Sequence, residues 1–339
     1  MKIKLAIFGA GFWAKYQIAA WKEHQDVEIV AIYNRTREKA ESLAKEFDIP
    51  SVYTSAEELL TQEKVDAIDV ITDVSTHEQF VLLAAKYKVP VICQKPLAPD
   101  YETARRMVDA CQNAGIPLFV HENWRWQTQL RELKKELDKN QIGKIFRADI
   151  VYANSFPVFE NQPFLKELDK FILTDMGTHI LDVTRFLLGE AESLYCQTAA
   201  VTPGIKGEDV ADISIKMRSG VHCNVEISYA SKLEHDTFPQ VLVLIEGEQG
   251  SIQLSKDFVI KVTTPAGTTE RKVDLPFYEW CIPQYALVQS SMVALNKQFL
   301  DFFQDNTKRV ETTGDDNLKT LELVYKSYES ADNNTLVSL

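Results

Sequence analysis

Three side chains in this sequence have the chemistry to activate a hydroxyl group: Lys95, Asp175 and His179. Lys95 stands in Cys93-Gln94-Lys95-Pro96, directly after a short apolar run. Where such a run is a strand of a doubly wound sheet, ligands bind beyond its carboxyl end. Lys95 is therefore expected to face a cofactor crevice, with Pro96 shaping the turn. Asp175 and His179 lie in Asp175-Met176-Gly177-Thr178-His179-Ile180-Leu181-Asp182. Four residues apart on a helix, they share one face, with Asp182 a further turn along. A carboxylate beside an imidazole orients the ring and raises its basicity, which suits a general base near neutral pH. Asp175, His179 and Asp182 could also ligate a metal at this spacing. No other Cys/His cluster accompanies them, so no metal is expected.

The elements that must position these groups begin with a glycine turn. Ile3 to Phe8 is apolar apart from Lys4, and Gly9-Ala10-Gly11-Phe12-Trp13-Ala14 follows it and opens a helical segment. In a G-x-G-x-x-A turn the first glycine permits the bend and the second lets backbone approach a pyrophosphate. The third small residue lets helix and strand pack closely, and the helix N-terminus offers N–H groups to phosphate. Gly9, Gly11, Phe12 and Trp13 are thus expected against the pyrophosphate of a dinucleotide. The second strand ends in Tyr33-Asn34-Arg35-Thr36-Arg37, where an NAD site usually carries an acid for the ribose. Asn34 can hydrogen-bond a ribose hydroxyl, whereas Arg35 and Arg37 could pair with a 2′-phosphate. The cofactor is accordingly NAD or NADP.

Apolar runs at Val27–Tyr33, Ala67–Ile71, Val89–Cys93 and Pro117–Val120 alternate with helical segments. Ser55 with Glu58 reads as a capping box, and Gly115 as a helix stop. Together these predict an α/β Rossmann domain over residues 1–123, with five strands in a parallel, doubly wound sheet. Beyond it come a helix from Leu173 to Leu188, several alternating runs from Ser193 to Thr263, and closing helices. This predicts an α+β domain over 124–339 with a large, mostly antiparallel open sheet, for substrate binding and oligomerisation. One face of such a sheet suits a homodimer or homotetramer contact.

Composition narrows the class. The 339 residues exceed one ordinary core at roughly 150 residues per domain. Charged residues are 25% and net charge is −12, with no Lys/Arg tract, which disfavours nucleic acid and anionic membranes as partners. No apolar run approaches the roughly 20 residues that span a bilayer. Leu5 to Ala10 ends in a glycine turn rather than a cleavage site, so a cytoplasmic protein is expected. Five dispersed cysteines form no CxxC pair, and neither a disulfide framework nor a zinc knuckle is expected.

In this order and at these separations, the glycine turn, Gln94-Lys95-Pro96 and the Asp175–Asp182 helix resemble the Gfo/Idh/MocA family of NAD(P)-dependent oxidoreductases. The resemblance covers essentially the whole chain, including the turn Gly247-Glu248-Gln249-Gly250-Ser251-Ile252. It implies that Lys95 contacts the substrate hydroxyl and the nicotinamide ribose, and that Asp175 and His179 flank the reacting carbon. It implies that His179 takes the hydroxyl proton while hydride passes to the nicotinamide. It also lays Thr72 to His77 along the cofactor, so Thr72, His77 and Gln94 join the cofactor set. There are two departures: the motif's usual glutamate is Gln94, and the proline usual after Thr72 is Asp73.

The run Val120-His121-Glu122-Asn123-Trp124-Arg125-Trp126-Gln127 follows the fifth strand, so Asn123, Trp124 and Arg125 are expected to touch substrate. With Lys206-Gly207-Glu208-Asp209-Val210-Ala211, this run looks like the D-apiose dehydrogenase branch, which implies a sugar-like substrate such as an aldose. The alternatives are an inositol or other polyol dehydrogenase and a non-catalytic NAD(P)-binding sensor. A sensor would have no need of Lys95, Asp175 and His179.

Overall fold

The computed structural model describes residues 2–234 and 237–339. Its first sheet has six strands: β1 (Ile3–Phe8), β2 (Val27–Tyr33), β3 (Ser51–Tyr53), β4 (Ala67–Val70), β5 (Val91–Gln94) and β6 (Leu118–His121). They run parallel in the order β3-β2-β1-β4-β5-β6. Leu5 to Phe8 and all of β4 are buried, as continuous apolar strands covered on both faces must be. The helices between the strands are α1 (Phe12–Lys22), α2 (Arg37–Phe47), α3 (Ala56–Gln62), α4 (His77–Tyr87) and α5 (Tyr101–Ala114). Ser55 caps α3 by accepting from the Glu58 N–H, and Gly115 ends α5 at φ +70°, where a Cβ would be disfavoured. The short edge strand β3 exceeds the five strands expected. Its three residues are too few to show a period.

The second sheet has nine strands: β7 (Ile145–Ala153), β8 (Ala191–Ala199), β9 (Val210–Met217), β10 (His222–Ser228), β11 (Leu242–Gly247), β12 (Gly250–Ser255), β13 (Val259–Thr264), β14 (Gly267–Lys272) and β15 (Val337–Ser338). The order is β14-β13-β12-β11-β7-β10-β9-β8-β15, antiparallel throughout except where β7 meets β10. Along β9 and β10 buried residues alternate with exposed ones, the pattern of a sheet covered on one face. The helices here are α6 (Thr128–Asp138), α7 (Val158–Asn161) and α8 (Thr178–Leu188). The chain closes with α9 (Ala286–Gln304) and α10 (Gly314–Asn333).

The compact units depart from a single boundary at residue 123. The first is Met1–Asn123 together with Tyr278–Lys319; the second is Trp124–Phe277 with Thr320–Leu339. Burial of apolar faces decides this, not order along the chain. Phe299 on α9 stacks on Phe119 of β6 at 5.4 Å and lies 6.5 Å from Trp21 of α1. The Val120 N–H donates to the Thr312 carbonyl at 2.7 Å. The segment 278–319, expected with the second domain, thus packs on the first sheet.

Candidate active site

The glycine turn has the shape a dinucleotide needs. Gly9 has φ +117°, and a Cβ there would lie 2.7 Å from the Ile71 carbonyl oxygen. Only glycine relieves both conditions. At Gly11 a Cβ would meet nothing within 4 Å, and α1 begins there without a side-chain cap, so its N-terminus is open to an anion. Ala14 is fully buried, which permits close helix–strand packing. Phe12 is exposed and edge-on to Trp13, whereas Trp13 also packs with Tyr16 and Tyr285. These residues fit a dinucleotide.

Two residues expected on the cofactor hydrogen-bond to loop backbone, Asn34 at the glycine turn and His77 at the loops after β4 and β5. Asn34 accepts from the Ala10 N–H at 3.1 Å and donates to the Thr36 carbonyl at 2.8 Å. His77 is buried, with Nδ1 3.1 Å from the Leu97 carbonyl and Nε2 3.2 Å from that of Thr72. It joins the loop after β4 to the turn after β5. Burial holds its pKa below the ordinary histidine value. The Thr72 hydroxyl accepts from Thr76 at 2.9 Å. Arg37 is paired with Glu41 one helical turn on, while Arg35 is exposed.

Lys95 is half-buried and follows β5 directly. Its backbone N–H donates to Gln94 Oε1 at 2.8 Å, and Gln94 Nε2 donates to Gln17 Oε1 at 2.7 Å. Gln17 in turn reaches the buried carboxylate of Asp69 on β4. No local motif marked Gln17 or Asp69, because they lie 52 residues apart in the chain.

Asn123, expected to touch substrate, hydrogen-bonds to α9. Its amide donates to the Val288 carbonyl and to Ser291 Oγ on α9, both at 2.8 Å. This buried group ties the end of β6 to α9. Polar residues near a strand's carboxyl end were expected to enter a site, but here one of them ties down a helix.

In the second unit Asp175 and His179 do not share one regular α-helix. Leu173–Gly177 forms a π-helical turn, and α8 starts at Thr178. Such widened turns recur at functional sites. Asp175 is half-buried in that turn and His179 is buried at the start of α8. Glu208, from the Lys206–Ala211 run, holds the entry to the turn. Its carboxylate accepts from the Phe171 and Leu173 N–H groups at 3.2 Å and from the Tyr328 hydroxyl at 2.6 Å. Asp209 likewise accepts from the Val201 and Thr202 N–H groups.

Trp124 lies against the candidate base. Its ring stacks on the His179 imidazole, centroids 4.7 Å apart and planes 20° from parallel. Tyr152 meets the other part of Trp124 edge-on at 5.4 Å. Arg125, expected to touch substrate, is held by a carboxylate. It is buried and grips Asp182 through two hydrogen bonds, Nε to Oδ2 at 2.7 Å and Nη2 to Oδ1 at 2.5 Å. A guanidinium held in this fork ties the segment after β6 to α8. Asp182 also accepts from the Thr320 hydroxyl at 3.2 Å.

The chain was compared with known proteins. Residues 3–122 match the Gfo/Idh/MocA oxidoreductase family with NAD-binding Rossmann fold, and residues 130–253 match the Gfo/Idh/MocA C-terminal domain. A D-apiose dehydrogenase of Rhizobium rhizogenes is 38% identical, over 100% of this chain and 98% of the relative. One from Paraburkholderia graminis is 36% identical, over 100% and 90%. A solved oxidoreductase from Agrobacterium radiobacter, in complex with NAD+, L-tartaric acid and magnesium, superposes with a TM-score of 0.97. It is 38% identical, covering 100% of this chain and 98% of its own. The chain belongs to the Gfo/Idh/MocA family of oxidoreductases with an NAD-binding Rossmann fold.

Proposed function

We propose that this protein oxidises a hydroxyl or lactol of an aldose, D-apiose being the favoured substrate, with NAD as hydride acceptor. The observation that carries this reading is the full-length likeness to D-apiose dehydrogenases in a chain that has its own Lys95, Asp175 and His179. When bound, the nicotinamide supplies the site that receives hydride. The protein's own groups handle the proton. Lys95 donates to the substrate oxygen and holds it. His179, stacked on Trp124, accepts the hydroxyl proton, and Asp175 steadies the charged imidazole that results. Gly9, Gly11 and the α1 N-terminus hold the pyrophosphate.

Initial rates with NAD and NADP against D-apiose, other aldoses and inositols test the reading. Turnover of D-apiose with NAD at the highest kcat/KM is expected. Inositols turned over faster would replace the substrate. Tight NADH binding without turnover of any sugar or cyclitol would instead make the protein a sensor. The same proposal includes a homodimer or homotetramer through the open face of the second sheet and a cytoplasmic location. Supporting the former, the face opposite the core carries Val151, Leu242 and Leu244 beside polar residues. Light scattering of the purified protein decides between monomer, dimer and tetramer.

A further inference from the structure

A buried carboxylate is joined to Lys95 by two side-chain amides in series. Asp69 on β4 is fully buried. Gln17 Nε2 donates to both its oxygens, at 2.7 and 2.8 Å, and Trp21 Nε1 donates to Oδ2 at 2.7 Å. Gln17 Oε1 accepts from Gln94 Nε2 at 2.7 Å, and Gln94 Oε1 accepts from the Lys95 N–H at 2.8 Å.

The two ends dictate the direction of the whole series. The Lys95 N–H and the Trp21 indole can only donate. Gln94 must therefore turn its oxygen to Lys95 and its NH2 to Gln17. Gln17 must then turn its NH2 to residue 69, which has to accept from both Gln17 and Trp21. An ionised carboxylate does this; an amide there would set one NH2 against another. A glutamate at position 94 would fail for the converse reason. To satisfy it, Gln17 would reverse and point its oxygen at the Asp69 carboxylate.

We propose that Asp69 is a positioning residue for Lys95. It holds the negative charge that the motif's usual glutamate would carry at position 94, and it passes the acceptor direction through Gln17 and Gln94 to the lysine backbone. The inference rests on the reading of Lys95 as a catalytic group. It accounts for an amide at position 94, because the acid of the series stands on β4 and the residue beside the lysine must be an amide to match it.

The test relocates the charge. In the D69N/Q94E double variant, Trp21 donates to the new amide oxygen at 69, whose NH2 donates to a reversed Gln17. Gln17 and the Lys95 N–H then both donate to the new carboxylate at 94, and every group is satisfied. Either single substitution leaves two like groups buried in contact. D69N and Q94E are each expected to lower the melting temperature of the cofactor-free protein and to cut kcat about tenfold or more. The double variant is expected to regain the melting temperature and to return kcat to within about threefold of the parent, with NADH affinity measured by fluorescence nearly constant. Losses that multiply in the double variant would overturn the proposal. So would single variants that melt early but keep the parent kcat, since the series would then brace the sheet without positioning Lys95. If Lys95→Met keeps full kcat, the catalytic reading of Lys95 fails, whereas the melting pattern of the cycle is untouched.

Discussion

The indole of Trp124 lies flat on the imidazole of His179, 4.7 Å between ring centroids. The contact fixes the plane of the ring and shields one of its faces from water. Because Trp124 is buried, with Tyr152 edge-on to it, the stack cannot shift without disturbing the second unit's core. Trp124→Phe should keep a ring on His179 and retain most activity. Trp124→Ala should destabilise the protein by about 3–5 kcal/mol, with a larger fall in kcat than in sugar affinity. Equal kcat for the two variants would show that the stack has no part in orienting the base.

Arg125 and Asp182 form a buried ion pair, so removing one partner leaves the other charge without its match. Arg125→Met should destabilise by about 3–5 kcal/mol, read as a lowered urea midpoint. Replacing both residues by apolar ones of similar volume should recover much of the loss. An unchanged midpoint for Arg125→Met would refute this account of the pair.

Lys95→Met removes the proposed donor to the substrate oxygen and keeps the length of the side chain. Turnover should fall by about 10²–10⁴-fold, with NADH binding nearly unaffected. Calorimetric or fluorescence titration alongside steady-state rates separates the two. Wild-type kcat in this variant would remove Lys95 from the mechanism.

Burial pushes the Asp69 carboxyl up from 3.8 to about 7, although hydrogen bonds from Trp21 and Gln17 oppose the rise. The Cys93 thiol on neighbouring β5 is itself pushed well above its ordinary value, chiefly by burial, and stays protonated. A folded carboxyl with a raised pKa binds more protons than the unfolded chain between the two values. Its contribution to stability therefore declines as pH climbs from about 4 to about 7 and is level above that. Asp69→Asn lacks this titration. The stability of wild type relative to the variant should fall across that window, measured by urea unfolding at several pH values. A constant difference from pH 4 to 8 (roughly the span that brackets both pKa values) would contradict the burial of an ionisable Asp69.

Local patterns were legible where one stretch of chain suffices to express a physical constraint. The parallel sheet shows as apolar runs because its strands are covered on both faces, and Gly9 shows because its φ of +117° excludes other residues. The edges were less clear. β3 is too short to carry a period, and α9 packs on the first sheet although it follows the second in the chain. Within Asn123-Trp124-Arg125 the residue types promised a polar, aromatic site, and Trp124 stacks on a candidate catalytic group, His179. Asn123 and Arg125 have well-defined partners on α9 and α8 instead.

The amino-acid sequence by itself determined the kind of chemistry: a turn shaped for pyrophosphate, a lysine after a strand, and an acid and imidazole four residues apart. It also determined the succession of a parallel and a mostly antiparallel sheet. Tertiary structure alone decided how those groups are held. The π turn at Asp175 depends on Glu208 reaching back 35 to 37 residues to its N–H groups. The acceptor at the Lys95 N–H is joined to Asp69 through Gln17 and Gln94. Hydrogen bonds are directional and burial makes an unmatched one costly, so partners distant in the chain, invisible to any local pattern, hold the segments that carry the candidate groups.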